Sequence, residues 1–171
     1  DGSIAEMTGT SSVVMFGFDG LVTCNELSYL RGVKENTTIL FGAMNTAGGS
    51  LKWFRDALYG GETPQNDAYP RINKEIEAGA KNPTGLIFLP YMAGERAPIW
   101  DPNARGTFMG LNMNTTRAEM LRAVMEGTSF ALQDNLDQAI KTGIPIRDFI
   151  CCGGCSKSDI WLKIKASVIG Q

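Results

Sequence analysis

The chain has 171 residues, 16 Lys and Arg against 18 Asp and Glu, a net charge of −2 and a hydrophobic fraction of 43%. This is the length of one domain, with enough apolar content for a core that buries roughly 70% of the unfolded surface. The near-neutral balance argues against a nucleic-acid face or a polybasic membrane arm, and the lack of any histidine excludes Ser-His and Cys-His nucleophiles.

The chain opens on Asp1-Gly2, with neither an initiator Met nor the pattern of a signal peptide, and closes on "VIGQ" directly after a helical pattern. Both ends predict a piece of a larger polypeptide. The longest apolar stretches, such as "GLIFLPYM", fall far short of a bilayer span.

"SIAEMTGTSSVVMFGFDG" predicts two short strands joined by a Thr-Gly-Thr-Ser-Ser turn at 8–12. Asp19-Gly20 predicts a second, hairpin-type turn leading into "LVTC". A helix follows over 50–59, with Leu51, Phe54 and Leu58 on one face and Gly60-Gly61 as its stop. Gly48-Gly49 ahead of it would leave bare amides at its positive end, a potential anion site. A second amphipathic helix is expected over 70–80, with Ile72, Ile76 and Ala80 spaced by four and Pro70 near its first turn. "TGLIFLPYM" then reads as a buried strand and "AGERAPIWDPNARG" as a long irregular loop.

Thr116-Arg117-Ala118-Glu119 is a capping box that starts the longest helix. Leu121, Val124, Met125, Thr128, Leu132, Asn135, Leu136 and Ala139 track one face of it, and Gly143 ends it. "RDFICC" from Arg147 is a strand and Gly153-Gly154 a turn. The last helix spans 158–168 with Ile160, Ile164 and Val168 in register, capped by Ser158 or Ser156. The whole is an α/β alternation.

"CGGC" at 152–155 has the spacing of a redox dithiol or half a zinc site, but also of a Gly-Gly turn suited to a nucleotide. An all-thiolate zinc site would require Cys24 to fold beside Cys151, Cys152 and Cys155, and adjacent Cys151 and Cys152 point to opposite faces of a strand. A reduced, cytoplasmic protein is the default.

Three segments occur in an order that resembles one family. "GTFMGLNMNTTRAEMLRAVMEG" is similar to the second signature of the FGGY carbohydrate kinases, with Gly106, Phe108, Gly110, Leu111, Glu119, Met120, Ala123, Val124, Met125 and Glu126 at its spacing. "MTGTSSVV" resembles the family's second phosphate segment, and "GGCSKSDIWLKIKASVIG" its adenosine segment. "FLPYMAGERAPIWDPNARG" is most similar to the xylulokinase branch.

The resemblance implies an actin-like ATPase or ribonuclease H-like fold, a mixed sheet flanked by helices. The chain would form, as a single domain over 1–171, most of the C-terminal nucleotide-binding half of a two-domain sugar kinase. It implies ATP and Mg2+ as cofactors, a sugar or polyol as substrate, and a homodimer for the full-length enzyme. Gly9 and Thr10 then match the phosphate contact, Gly48 a glycine close to ATP, and Lys52 a position where some members carry Gln. Gly153, Gly154 and Ser158 match the segment that holds base and ribose. Cys155 replaces a glycine common in that segment.

No residue matches the family's catalytic Asp, which is expected upstream, together with the sugar domain and its Mg-binding Asp. Asp19 follows the phosphate segment and reads as a turn residue, and Asp1 lacks a matching context. Alone, the chain should be inactive. Two alternatives come from other classes: a thioredoxin-like redox domain using Cys152 and Cys155, and a non-catalytic interaction module.

Overall fold

The computed structural model of the chain describes residues 2–58 and 65–170. Five strands form the main sheet: β1 (Ser3–Thr8), β2 (Ser12–Asp19), β3 (Ser28–Arg31), β4 (Thr37–Met44) and β7 (Asp148–Gly153). Their order is β3-β4-β2-β1-β7, antiparallel throughout except that β7 runs parallel to β1. A two-stranded ribbon pairs β5 (Ile87–Leu89) with β6 (Thr107–Met109). The helices are α1 (Gly48–Leu58), α2 (Gln65–Gly79), α3 (Arg117–Lys141) and α4 (Asp159–Ile169).

The capping box of α3 forms as its sequence requires: the Thr116 hydroxyl accepts from the Glu119 amide, and the Glu119 carboxylate accepts from the Thr116 amide. All eight residues expected on its inner face are buried. The helix joins two apolar clusters. Leu121, Val124 and Met125 pack with Leu51, Phe54, Ile72, Ile76, Phe88 and Trp161, whereas Leu132, Leu136 and Ala139 pack with Ile4, Phe16 and Leu40 of the sheet. Burying each such side chain contributes about 1.5–3 kcal/mol, so this one helix anchors both halves of the domain.

Several expectations require correction. Asp19-Gly20 does not open a hairpin into "LVTC". Thr38 Oγ1 accepts from the Val22 amide and donates to the Gly20 carbonyl, and these side-chain bonds divert residues 20–24 from the ladder. The strands beyond β2 are instead β3 and β4, which pair with each other. Pro70 lies inside α2 rather than at its first turn, costing that helix one backbone bond. Leu58 is 47% exposed, so the buried face of α1 rests on Leu51 and Phe54. Tyr59 and the Gly60-Gly61 stop lie outside the described residues, as does Asp1.

The irregular loop before β6 is pinned rather than solvated. Glu95 is 3% exposed, and its Oε1 accepts from the amides of Asn45 and Arg96 at 2.8 Å each. The Trp100 indole donates to the Glu26 carbonyl at 2.9 Å, and the Asn135 amide donates to the Ala97 carbonyl at 3.1 Å.

Candidate functional site

The parallel pairing of β1 with β7 builds the site. It sets Thr8 opposite Gly153, so the turn after β1 and the turn after β7 emerge side by side. The first turn, residues 9–11, closes through the Gly9 amide to the Ser11 carbonyl at 2.9 Å. The start of α1 packs against it. The amides of Ala47 and Gly49 donate to the Thr10 carbonyl at 2.9 Å each, and that of Gly48 to the Gly9 carbonyl at 3.1 Å. Those amides are therefore not bare, contrary to the expectation for Gly48-Gly49. A helix start still carries partial positive charge, and here it lies directly behind the turn.

At the second turn, Gly153 has φ of 87°, and a Cβ there would stand 2.4 Å from the Thr8 carbonyl oxygen. Only glycine fits that close approach. Residues Gly154–Lys157 then form one 3-10 turn, and Ser158 caps α4 by accepting from the Trp161 amide at 3.3 Å. The Ser156 hydroxyl instead donates to the Gly153 carbonyl. Ser158 Oγ also donates to Asn73 Oδ1 at 2.9 Å, linking the second turn to α2.

Between these elements lies a cavity of about 610 Å³. Gly9, Thr10, Gly48, Lys52, Gly154 and Ser158 all line it, whereas Gly153 sits behind, against Thr8. The cavity also receives residues that sequence reasoning passed over: Arg55, Tyr69, Asn73, Lys157 and Trp161. Three of its described lining residues are cations (Lys52, Arg55 and Lys157) and none is a carboxylate, which favours an anionic ligand.

Arg55 is 7% exposed, stands 5.3 Å over the Tyr69 ring and donates to the Tyr69 hydroxyl at 3.2 Å. Asp56 of α1 accepts from Lys52 at 2.9 Å and from Arg55 at 2.7 Å. These bonds, that from Lys52 foremost, hold its carboxyl below the usual range. The helical pattern alone could have flagged Arg55 and Asn73 only as polar interruptions.

Two lining residues, Thr8 and Cys155, contact a buried polar cluster. Lys165 of α4 reaches Glu6 Oε2 at 2.9 Å and Thr8 Oγ1 at 2.8 Å. A buried ion pair of this kind carries no sequence signal, since charged helix residues ordinarily face water.

The cysteines form no disulfide. All four are free; Cys152 is exposed, while Cys155 is 3% exposed and faces Lys165. The neighbouring Cys151, outside the C-x-x-C spacing, has its thiol pushed up to about 12 by burial. The thioredoxin-like alternative finds no support in the arrangement.

Known proteins are similar to the chain in sequence and fold. A xylulose kinase of Staphylococcus xylosus is 31% identical over 140 residues, which is 82% of this chain and 28% of that protein. A gluconokinase of Bacillus licheniformis is 31% identical over 186 residues, 98% of this chain and 34% of that protein. The structure of a ligand-bound xylulose kinase from Lactobacillus acidophilus superposes with a TM-score of 0.82 at 34% identity, over 98% of this chain and 34% of that one. The chain thus spans about a third of the length of these relatives. The fold is that of the actin-like ATPases, a mixed sheet with flanking helices. Residues 5–171 match the C-terminal domain of the FGGY family of carbohydrate kinases, and the chain belongs to that family.

Proposed function

We propose that the chain supplies the ATP-binding half of a carbohydrate kinase that transfers the terminal phosphoryl group of ATP to a sugar or polyol hydroxyl. One observation carries the reading: the turns after β1 and β7 and the start of α1 converge on one cationic cavity. Gly9 and Thr10 take the phosphate end, the Thr10 hydroxyl being able to donate to a phosphate oxygen. Gly48 lets α1 approach that end. Lys52 and Lys157 add positive charge along the cavity, and Gly154 and Ser158 bound the nucleoside end, with Gly153 fixing their position from behind.

Phosphoryl transfer depends on alignment and on stabilising the charge of the transferred group. The residues named here hold the donor; the general-base Asp and the residues that align the substrate's acceptor hydroxyl are assigned to the two thirds of the relatives' length that this chain does not span. Among the described residues no group of three Cys, Asp or Glu side chains could hold a metal ion. Bound with the nucleotide, Mg2+ would help neutralise the charge of the transferred phosphoryl group.

The relatives named for xylulose and gluconate make a pentulose or sugar acid the first substrates to test. A cytoplasmic location and a homodimeric full-length enzyme are parts of the same proposal, checked by fractionation and sedimentation. The central test is calorimetric titration with ATP beside a coupled ADP-release assay with D-xylulose, gluconate and glycerol. The chain is expected to bind ATP and to give no turnover. Failure to bind ATP overturns the nucleotide site, and turnover in the ordinary enzyme range of about 1–1000 per second overturns the division of labour.

A further inference from the structure

The ionic cluster under the cavity has a geometry that its contribution to stability does not explain. Glu6 is 0% and Lys165 3% exposed. Glu6 Oε1 accepts from the hydroxyls of both Thr8 and Ser12, the latter at 2.6 Å. Thr8 is the last residue of β1 and Ser12 the first of β2, and the two face each other across the ladder. One carboxylate oxygen therefore grips both ends of the turn that holds Gly9 and Thr10. Lys165 holds the other oxygen, donates directly to Thr8, and lies 3.2 Å from Cys155 Sγ on the turn after β7.

A buried ion pair is a poor way to gain stability, because desolvating two charges costs several kcal/mol each and apolar replacements of like volume are often neutral or stabilising. Directional bonds provide what apolar packing cannot, a single position for the groups they join. The joined groups are the phosphate turn and the nucleoside turn. We infer that Glu6 and Lys165 are positioning residues that fix the phosphate turn, and with it Thr10, relative to the rest of the cavity; this rests on the ATP-site reading above. A displacement of even about 1 Å at such a turn can cost on the order of a hundredfold in a reaction that depends on alignment.

The test is the double variant Glu6→Leu/Lys165→Met, which removes both charges at nearly constant volume. The Thr8 and Ser12 hydroxyls, 3.5 Å apart, can then pair with each other. Melting should shift by no more than about 4 °C, the equivalent of roughly 1 kcal/mol in a domain of this size. Affinity for adenosine should hold within about twofold while the Kd for ATP rises about tenfold, the equivalent of one lost charge-assisted contact. Ser12→Ala removes one side of the grip and leaves the ion pair intact, so it decides the matter if the double variant does not fold. It should raise the Kd for ATP by about threefold and leave adenosine unchanged. A merely structural pair predicts ATP and adenosine affinities that stay unchanged or fall in parallel, and either result overturns the inference. If the unaltered chain binds no ATP, the nucleotide-site reading falls first and takes this one with it.

Discussion

Gly48 and Gly9 touch backbone to backbone: a Cβ on Gly48 would stand 2.3 Å from the Gly9 carbonyl oxygen, the same oxygen that accepts the Gly48 amide. The first residue of α1 and the turn after β1 are thus in direct backbone contact. Gly48→Ala forces them apart and should cost about 1–3 kcal/mol of stability by overpacking, read by urea unfolding. ATP affinity should fall with it. Unaltered unfolding and binding would show that the turn is free to move.

Gly154 presents the opposite situation. A Cβ there meets only the Thr8 carbonyl oxygen, at an ordinary 3.9 Å, and its φ is not in the left-handed region. Gly154 lines the cavity and has room for a Cβ, so Gly154→Val should melt close to the parent yet lose adenine-nucleotide binding. Cys152→Ser, at an exposed thiol, should change binding little. Parallel ATP titration and insulin-reduction assays check both, and disulfide exchange that vanishes with Cys152 would revive the dithiol alternative.

Thr10 lines the cavity, and if its hydroxyl takes the phosphate end as proposed, Thr10→Ala should weaken ATP more than AMP. Loss of one hydrogen bond to a charged group costs about 1.5–3 kcal/mol, a difference that calorimetry with the two nucleotides resolves. Equal losses for both would move Thr10 away from the terminal phosphates.

Glu95 makes a prediction about pH. Burial raises its carboxyl above the ordinary 4.5, and its Oε2 has no hydrogen-bond partner among the described residues. Well below 4.5 the carboxyl is protonated in both folded and unfolded chains and contributes no difference. As pH rises, the unfolded form ionises first and stability is lost, until pH passes the raised folded value. Glu95→Gln keeps an acceptor for the Asn45 and Arg96 amides and removes this ionisation. Relative to the parent, its melting temperature should therefore improve between pH 4 and pH 7. A difference that stays constant with pH would show that the carboxyl is not raised.

The sequence by itself determined what depends on local period and local chemistry. The capping box at Thr116 and Glu119, the eight-residue inner face of α3, the cap at Ser158 and the two glycine-bearing turns are all legible because their physics lies within a few residues. The ordered segments carried the family for the same reason. Misjudged elements were those where a distant group intervened, as when Thr38 turned residues 20–24 out of the ladder or α2 ran on through Pro70. Only the tertiary structure decided which polar residues meet. Asn73 reaches Ser158 across 85 positions, and Lys165 reaches Glu6 across 159. A lysine on an amphipathic helix is ordinarily solvated, and nothing local marks this one for burial. Its environment is set by the parallel pairing of β1 with β7 and the packing of α4 behind them, relationships that no spacing along the chain encodes.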